Sequence, residues 1–341
     1  MRILYLSCHS ILEYDEVKLL HSLGHEVFSP GAYVEPRNPG DATLRPGLSF
    51  DYDPDILQQF HELAAKHPSE DTKDYLTQEF MDNFDVVIVM HIPRWIQKNW
   101  QAFKNVRVIW RTIGQSVSGI EASLSQYRTA GLEIVRYSPM ERNIPGYLGQ
   151  DALIRFYKDP DDYRGWTGEQ RRVITFAQHM KDRDQACNFS FFEDVTRDFP
   201  RHLFGPGNAD IGEWTSGKVS SEQQMVEYQT NRCYFYTGTH PASYTLNFME
   251  AWMTGIPIVA IGSDRGNAGY FPGHNLYEIP SLIENGVTGF VSDSHEELSN
   301  YIKTLLGDRE YAQKISDAAR GAAIEIFGRE TIAAQWSEYL G

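Results

Sequence analysis

One carboxylate, Glu250, lies in the middle of a short predicted helix that is otherwise apolar on nearly every side. A helix that is apolar all round is expected to be buried, and a carboxylate is almost never fully buried unless a donor pairs with it. Glu250 therefore needs a partner, and the hydroxyl groups of a bound ligand are suitable donors. The alternative is an internal pair with a core arginine or histidine, which would make Glu250 structural.

The helix that carries Glu250 has clear ends. Gly255 fits the position just after a helix, where the backbone is left-handed, and Pro257 prevents the helix from continuing. The residues from Ile256 to Ile261 then predict a short buried strand. The other end of the helix follows a polar loop, and the free N–H groups of a helix N-terminus favour the binding of an anion such as a diphosphate.

The segment Phe248-Met-Glu-Ala-Trp-Met-Thr-Gly-Ile-Pro-Ile-Val-Ala260 resembles the nucleotide-sugar site of GT-B glycosyltransferases, especially that of the retaining enzymes of family 4. The resemblance is strong over about residues 170–325 and weak over the N-terminal half. It implies that Glu250 binds the ribose hydroxyls of a nucleotide. It also implies that the diphosphate is held by backbone N–H groups around four residues: Ser243, Tyr244, Thr245 and Leu246. One departure is Ala242, which stands where the family usually has a second glutamate that contacts the sugar.

Polar residues that follow predicted strands are further candidates, because ligands of open parallel sheets bind beyond the carboxyl ends of the strands. His91 follows the strand Asp85–Met90 and is predicted to contact the donor sugar or to act as a base, since an imidazole titrates near neutral pH. His9 follows the first strand and is predicted to contact the diphosphate or the acceptor; an ordinary loop histidine is the alternative. Acceptor-side candidates follow the next strand, and they are Arg111, Thr112 and Gln115.

Two basic residues, Lys181 and Arg183, follow the first strand of the second half. Breaking a sugar–phosphate bond moves negative charge onto the diphosphate, and preorganised cations stabilise that charge without a metal. The resemblance implies this role for the pair, although Gln178 stands where the family has an arginine. Gly205 is expected to let the backbone approach the nucleotide closely. No Asp-x-Asp motif follows a predicted strand, so we predict a metal-free reaction without a cofactor, in which the nucleotide sugar is a substrate.

Predicted strands alternate with helices along the 341 residues, which indicates an α/β fold with parallel, doubly wound sheets and room for two domains. The resemblance implies the GT-B fold, in which two Rossmann-like domains face a central cleft and the C-terminal helix crosses back. We place an acceptor-side domain at residues 1–160, a nucleotide-sugar-binding domain at 161–325, and a terminal helix that packs on the N-terminal domain at 326–341. Single helices are also predicted over Thr72–Asn83 and near Asp184–Asp198.

Composition narrows the classes of partner. The net charge of −15 disfavours binding to nucleic acid and to anionic membranes, and no run of apolar residues is long enough for a spanning helix. Basic residues outnumber acidic ones between Arg94 and Arg142, which indicates either a local cationic patch or ordinary solvated charges. The chain's cysteines have no metal or redox spacing and favour a reduced cytoplasm; they are Cys8, Cys187 and Cys233.

These observations predict a cytoplasmic glycosyltransferase that moves a sugar from a UDP- or GDP-linked donor to an acceptor hydroxyl, without a metal and with retention of configuration. A GT-B-shaped epimerase that acts on the nucleotide sugar, or a non-catalytic module that binds a nucleotide sugar or a partner protein, is the alternative. We expect a nucleotide sugar as partner and no stable membrane insertion. The acceptor stays open between a glycan, a lipid, a protein and a modified nucleic acid.

Overall fold

The computed structural model describes residues 1–34, 45, 51–114, 116–163, 165–269 and 271–341. Contacts divide the chain into two units. The first contains Met1–Arg142, Gly146–Tyr157 and Ile332–Gly341, and the second contains Asn143–Pro145 and Lys158–Thr331. The chain therefore passes from the first unit to the second after Tyr157 and returns to the first after Thr331. The boundaries predicted from the sequence lie after residues 160 and 325.

The first unit is built on one parallel sheet. Its strands are β1 (Arg2–Leu6), β2 (Glu26–Phe28), β3 (Val86–Met90), β4 (Arg107–Arg111), β5 (Glu133–Arg136) and β6 (Ala152–Leu153). They lie in the order β2-β1-β3-β4-β5-β6. Its helices are α1 (Ser10–Ser22), α2 (Pro54–Lys66), α3 (Gln78–Met81), α4 (Pro93–Asn99) and α5 (Ser118–Thr129). Every residue of β3 is buried, as expected for a continuous apolar strand that is covered on both faces.

The second unit repeats this plan. Its strands are β7 (Gln170–Phe176), β8 (Arg201–Phe204), β9 (Asn231–Tyr236), β10 (Ile258–Ile261) and β11 (Phe290–Ser292). They form a parallel sheet in the order β11-β10-β9-β7-β8. Its helices are α6 (Asp184–Cys187), α7 (Phe189–Thr196), α8 (Ser221–Thr230), α9 (Leu246–Thr254), α10 (Ser263–Gly266), α11 (Ile279–Leu282), α12 (His295–Gly307) and α13 (Arg309–Phe327).

Both sheets reverse their strand order at the corresponding place. Numbered from its own first strand, the first sheet runs 2-1-3-4-5-6 and the second runs 2-1-3-4-5. The order therefore reverses between β1 and β3 in the first unit and between β7 and β9 in the second. Connections leave the sheet towards opposite sides at such a point and open a crevice beyond the carboxyl ends of the strands, which is where doubly wound sheets bind ligands. The fold therefore predicts one ligand-binding crevice in each unit.

The last helix, α14 (Arg329–Leu340), returns the chain to the first unit. Near its end, the carbonyl oxygen of Tyr339 accepts a hydrogen bond from Arg107 Nη2 at 3.2 Å, and the guanidinium of Arg107 lies over the Tyr339 ring. Trp336, one turn earlier, is fully buried. In the parts of the chain described, no helix combines the length and the apolar character that crossing a bilayer requires.

The single helix predicted over Thr72–Asn83 is wrong. The structure has a 3-10 turn at Thr72–Asp74 and then α3, with an extended break between them. At the break the backbone N–H of Leu76 donates to Asn99 Oδ1 at 2.9 Å. This contact with α4 replaces a hydrogen bond that a continuous helix would make.

The helix predicted near Asp184–Asp198 is likewise divided, into α6 and α7. Asn188 lies between them in the left-handed conformation, with φ 56°. Its side-chain Nδ2 donates to the carbonyl oxygen of Thr237 at 3.0 Å. Because Thr237 follows β9, the break fixes α6 to the loop that leads into α9.

Candidate functional site

The crevice nominated in the second unit is formed by the loops that follow β7 and β9. The loop after β9 leads into α9, and the first turn of α9 is tied to the end of β7, because Asn247 Nδ2 donates to the carbonyl oxygen of Phe176 at 3.0 Å. The backbone N–H of His240 donates to the carbonyl oxygen of Ala186 at 2.8 Å. The N-terminus of α9 is therefore fixed at the point where the strand order reverses.

Asn208 joins the loops after β7 and β8. It is fully buried, and its Nδ2 donates to the carbonyl oxygens of Ala177, at 2.7 Å, and Gly205, at 3.0 Å. Its Oδ1 accepts from the backbone N–H of Met180 at 2.9 Å. These bonds hold the loop that carries Lys181 in a fixed place.

Gly205 occupies a position that only glycine tolerates. Its φ is 128°, and a methyl group added there would lie 2.1 Å from the carbonyl oxygen of Ala177. The sequence predicted that this glycine permits a close backbone approach. In the structure the neighbour that comes close is the chain's own β7 loop, and an approach to a nucleotide stays a prediction.

Lys181 and Arg183 lie exposed on the loop after β7, next to the crevice. Arg183 Nη1 donates to the carbonyl oxygen of Gln178 at 3.3 Å. Within the described residues neither cation forms an ion pair. The ion pair found in this loop joins Asp182 to His179, at 3.7 Å. Two exposed cations therefore lie on the loop after β7, which is one of the two loops that form the crevice.

The predicted start and end of the Glu250 helix are confirmed. Thr245 precedes α9 with an extended backbone, and its side chain does not cap the helix. Gly255 follows it with φ 91°, and its N–H donates to the carbonyl oxygens of Ala251 and Trp252. Leu246 is the first helical residue and is half-buried, so the open N-terminal turn of α9 faces the crevice.

Ser243 and Tyr244, also predicted to hold the diphosphate, are buried beneath this turn. The carbonyl oxygen of Ser243 accepts a hydrogen bond from the backbone N–H of Glu278 at 3.0 Å. The ring of Tyr244 packs against Phe327, with 5.3 Å between ring centroids. Their side chains support the loop from the interior, and the predicted contact of their N–H groups with a diphosphate stays a prediction.

Glu250 has an internal partner. Its carboxylate is 1% exposed, and Oε1 accepts from Lys158 Nζ at 2.9 Å, a lysine that is itself completely buried. The hydroxyl of Tyr163 lies 3.5 Å from the same oxygen. The other oxygen, Oε2, accepts from Gln224 Nε2 at 3.2 Å. A lysine therefore compensates the charge of this buried carboxylate. The alternative stated from the sequence was an arginine or a histidine.

Sequence reasoning missed Lys158 and Gln224 as partners of Glu250. They are separated from it by 92 and 26 residues. Lys158 belongs to no helix or strand, so no periodicity marks it as buried. Gln224 lies on α8, whose mixture of polar and apolar residues gives no sign of an inward-facing amide.

His91 follows β3 in the first unit with a left-handed backbone, φ 63°. Burial lowers the pKa of its imidazole, so the ring is neutral at pH 7. Its Nδ1 is buried and has no hydrogen-bond partner within the described residues. A neutral ring with a free nitrogen is suited to accept a proton or a hydrogen bond, and the predicted contact with a sugar stays a prediction.

The structure places two of the three acceptor-side candidates inside the first unit. Arg111 is completely buried, and its Nη2 donates to Glu16 Oε1 at 2.6 Å. Thr112 is also buried and donates through Oγ1 to Glu141 Oε2 at 2.7 Å. Neither side chain presents an exposed group to an acceptor, because the adjacent strands and helices cover both. Gln115 lies outside the described residues.

The crevice nominated in the first unit holds a cavity of about 620 Å³. The loop after β1 contributes His9, which also precedes α1 with an extended backbone. The neighbouring residue Cys8 is exposed and also lines the cavity. The cavity is also lined by Lys73 and by residues of the loop and helix after β3, namely Ile92, Arg94 and Trp95.

The excess of basic residues between Arg94 and Arg142 is largely neutralised by ion pairs within the first unit. The pairs are Arg94 with Asp71 and Asp74, Arg107 with Glu133, Arg111 with Glu16, Arg128 with Asp151, and Arg136 with Glu121. Several of these acids come from outside the stretch, so the local charge count in the sequence overstates the positive surface. Within the described residues, no group of three histidine, cysteine, aspartate or glutamate side chains is placed to hold a metal ion.

Solved structures of low sequence identity share this architecture along their full length. HepE of Anabaena in complex with UDP-glucose is 14% identical, with a TM-score of 0.67, and the match covers 100% of this chain and 99% of that one. Sucrose-phosphate synthase of Thermosynechococcus elongatus is 12% identical, with a TM-score of 0.66, and the match covers 100% and 98%. A glycosyltransferase of Rickettsia africae is 14% identical, with a TM-score of 0.65, and the match covers 99% and 97%. Neither a protein-family model nor a curated protein matches the sequence.

The chain has the GT-B fold. The fold predicted from the sequence is thereby confirmed in its two parallel-sheet α/β units, of six and five strands. The GT-B match extends over the N-terminal half as well, where the sequence resemblance is weak. The strand order is retained there although the Gly-rich loop that many GT-B enzymes have after the first strand is replaced by Cys8-His9-Ser10.

Proposed function

We propose that this protein transfers a sugar from a nucleotide-diphosphate donor, UDP- or GDP-linked, to an acceptor hydroxyl. One observation carries the proposal: the N-terminus of α9 is fixed at the strand-order reversal of the second sheet, and the other loop of this crevice carries two cations, Lys181 and Arg183, that form no ion pair within the described residues. The GT-B relatives add support, because Anabaena HepE has been solved with UDP-glucose.

The diphosphate is the part of the donor that this site fits best. The open turn that starts at Leu246 supplies N–H donors and the positive end of the helix dipole. Lys181 and Arg183 add full positive charges, and in the described part of the chain neither has an ion pair that would have to break before it binds a phosphate. As the sugar–phosphate bond breaks, the leaving nucleoside diphosphate gains negative charge, and these groups stabilise it.

Glu250 is proposed to bind the ribose, and its surroundings define how. Lys158 and Tyr163 reach Oε1 from the interior, whereas Gln224 covers Oε2 and is itself partly exposed. A ribose hydroxyl would therefore replace the Gln224 amide at Oε2 while Lys158 remains bound to Oε1. The exchange trades one hydrogen bond for another, so it costs little free energy.

Metal independence and retention of configuration belong to the same proposal. The cations beside α9 can neutralise the leaving diphosphate in place of a divalent ion. Retention rests on the sequence resemblance alone, and Ala242 removes a carboxylate that the family uses at the sugar.

The experiment is to incubate the protein with UDP-, GDP-, ADP- and TDP-sugars, with and without a chelator, and to follow nucleotide release and binding. Release or transfer that survives the chelator supports the proposal, and the anomeric configuration of the product decides between retention and inversion. An interconverted donor sugar would instead indicate an epimerase.

A second candidate is a GT-B module that binds a nucleotide sugar without turnover. Three features favour it. Ala242 and Gln178 stand where the catalytic members have a glutamate and an arginine, and the carboxylate of Glu250 is occupied by internal partners. Tight binding of a donor, with no release of nucleotide in the presence of a broad panel of acceptors, would establish this alternative.

A further inference from the structure

Three arginines meet at the amino ends of two strands of the second sheet. Arg171 is the second residue of β7, Arg232 is the second residue of β9, and these strands are parallel neighbours. Arg309 is the first residue of α13. We call these three residues the arginine cluster. The crevice of this unit lies beyond the carboxyl ends of the same strands, so the arginine cluster is a separate feature.

Hydrogen bonds to backbone carbonyl groups bring the arginine cluster together. Arg171 Nε donates to the carbonyl oxygen of Leu306 at 3.0 Å, and Arg232 Nη1 donates to the same oxygen at 3.3 Å. Arg232 Nε also donates to the carbonyl oxygen of Gly168 at 2.7 Å, and Arg309 Nη2 donates to that of the residue before this glycine at 2.9 Å. The three guanidinium groups therefore converge on two adjacent pieces of backbone.

An irregularity in the sheet contributes to this arrangement. Between two paired positions the register advances by three residues on β7, from Gln170 to Val173, but by only two on β9. Arg171 and Arg172 therefore stand opposite Arg232 alone. Such bulges change the direction of a side chain and are frequent next to binding sites.

No carboxylate balances the charge of the arginine cluster in the described part of the chain. None of its three members forms an ion pair there, whereas the adjacent Arg172 is paired with Glu227 Oε2 at 2.7 Å. Asp308, next to the cluster in sequence, caps α13 by accepting from the N–H of Tyr311 at 2.9 Å. The carbonyl groups at the end of α12 carry about half a negative charge, which is far less than three guanidinium groups.

Arg232 shows the electrostatic consequence. Its side chain is 5% exposed, and its pKa is lowered by burial and then by the charges of Arg309 and Arg171. A buried cation beside two like charges is unfavourable unless an anion compensates it. Arg171 and Arg309 are exposed, so an anion can reach the cluster from solvent.

We propose that the arginine cluster binds the phosphate group of a soluble phosphorylated metabolite, at a site separate from the donor crevice. A phosphate monoester carries about −1.5 to −2 charges and three acceptor oxygens, which match three guanidinium groups better than a carboxylate does. Each guanidinium has five N–H groups, and Arg171 and Arg309 each donate one to the backbone, which leaves donors for a ligand. The site does not depend on the proposed transferase function.

The test is calorimetric titration of the full chain, at low ionic strength, with inorganic phosphate, glycerol 3-phosphate, glucose 6-phosphate, glucose and glucuronate. We expect at least one phosphate probe to bind about tenfold or more tightly than glucuronate and to raise the melting temperature, since a ligand of the folded state stabilises it. Equal binding of glucuronate, or no binding of any soluble phosphate, would overturn the proposal. Binding only to vesicles that contain phosphatidic acid would overturn it too, because it would indicate a membrane surface.

Matched double variants locate the site. Arg171→Gln with Arg309→Gln removes two exposed charges of the cluster and keeps the buried Arg232 in place. Arg197→Gln with Arg329→Gln removes the same charge at exposed positions elsewhere. The cluster variant should weaken phosphate binding about tenfold or more, and the control less than about twofold. Unchanged binding in a folded cluster variant contradicts the site. Should the double variant not fold, Arg309→Gln alone decides, with an expected loss of about threefold or more.

A third double variant, Lys181→Met with Arg183→Gln, separates the cluster from the crevice. It leaves the cluster intact, so binding of the phosphate probes should stay within about twofold. Loss of phosphate binding in this variant, with retention in the cluster variant, would place the phosphate in the crevice and overturn the proposal. If phosphates bind at the cluster and no nucleotide sugar binds anywhere, the transferase proposal fails and the phosphate site stands.

Discussion

Glu250 shows how much the sequence alone predicts about a single side chain. A carboxylate in an apolar helix predicts burial and a partner, and the structure confirms both, since Glu250 is buried and ion-paired with Lys158. The identity of the partner was beyond the sequence, because it depends on a tertiary contact between segments 92 residues apart. The same contact decides whether the carboxylate can act on a ligand, which is why the ribose role is a proposal.

The substitution Lys158→Met should strongly destabilise the second unit. It leaves the buried Glu250 carboxylate without its charge partner, and breaking one side of a buried pair costs about 3–5 kcal/mol. The double variant Lys158→Met with Glu250→Gln should recover part of this loss, because it buries no unpaired charge. Urea unfolding monitored by circular dichroism measures both.

Lys104→Met is the control for Lys158→Met, and it should change the free energy of unfolding by less than about 0.5 kcal/mol. If Lys158→Met unfolds within about 1 kcal/mol of the unsubstituted protein, the buried pair does not stabilise the fold.

Glu141 is a buried carboxyl group that titrates near neutral pH. Burial raises its pKa to about 7, against the opposing effect of Arg136. Its Oε2 accepts from Thr112 Oγ1 at 2.7 Å and from the backbone N–H of Tyr137 at 3.1 Å. Arg136 is already held by Glu121 at 2.6 Å and lies 3.8 Å from Glu141, so it only partly compensates the charge of Glu141.

Stability should therefore fall with rising pH through the titration of Glu141. The folded carboxyl keeps its proton up to about pH 7, whereas the unfolded one loses it near pH 4.3, so the contribution to stability is present below about pH 4.3 and is lost by about pH 7. Glu141→Gln removes this titration. The difference in unfolding free energy between the unsubstituted protein and Glu141→Gln should change by up to about 4 kcal/mol between acidic and mildly alkaline pH, in the direction that favours Gln at high pH.

Unfolding in urea at several pH values checks the behaviour of Glu141. A difference between the two proteins that does not vary with pH, or one that favours the glutamate at alkaline pH, would show that this carboxyl is ionised throughout.

Helices and strands were predictable where local pattern and tertiary contact agree. The apolar runs of β3 and β9 and the glycine stop after α9 specify their own structure. The predicted helices over Thr72–Asn83 and Asp184–Asp198 were wrong because tertiary contacts interrupt them. In the first, Asn99 accepts a hydrogen bond from the backbone N–H of Leu76; in the second, Asn188 takes a left-handed backbone and its side chain donates to the carbonyl oxygen of Thr237. Pattern alone does not encode those contacts.

The loops after β7 and β8 should depend on glycine at position 205. Gly205→Ala places a methyl group 2.1 Å from the carbonyl oxygen of Ala177 at φ 128°, so the paired loops must move apart, at a cost on the order of 2 kcal/mol or more. Nucleotide affinity should fall as well, because Lys181 lies on the displaced loop. Thermal unfolding and calorimetric titration with UDP measure the two effects.

Gly217→Ala is the matched control for Gly205→Ala. Its carbonyl oxygen accepts from the Gly205 N–H, yet a methyl group there would lie 3.8 Å from its nearest neighbour, an ordinary contact. Equal behaviour of the two alanine variants would show that the tight approach at Gly205 does not matter.

For the molecule as a whole, the structure confirms the predicted α/β architecture, and the comparison with solved structures confirms the GT-B fold. The candidate site was only partly predictable. The strand ends identified in the sequence predicted which loops form the crevices, because open parallel sheets bind ligands beyond the carboxyl ends of their strands. Arg111 and Thr112 show the limit of that rule. Arg111 ends β4 and Thr112 follows it, yet both side chains are buried, and their acidic partners, Glu16 and Glu141, come from distant segments. The cavity lined by Lys73 and Arg94 carried no sequence signal, because it joins residues from separate loops.

The most direct test of the account is the affinity of nucleotide sugars for the unsubstituted protein and for the double variant Lys181→Met with Arg183→Gln, measured by calorimetry. The account predicts that at least one UDP- or GDP-sugar binds, and that loss of both cations weakens binding about tenfold or more, since each charge-assisted contact to phosphate contributes roughly 1.5–3 kcal/mol. Binding that is unchanged in the double variant, or no binding of any nucleotide sugar to a folded protein, would contradict it.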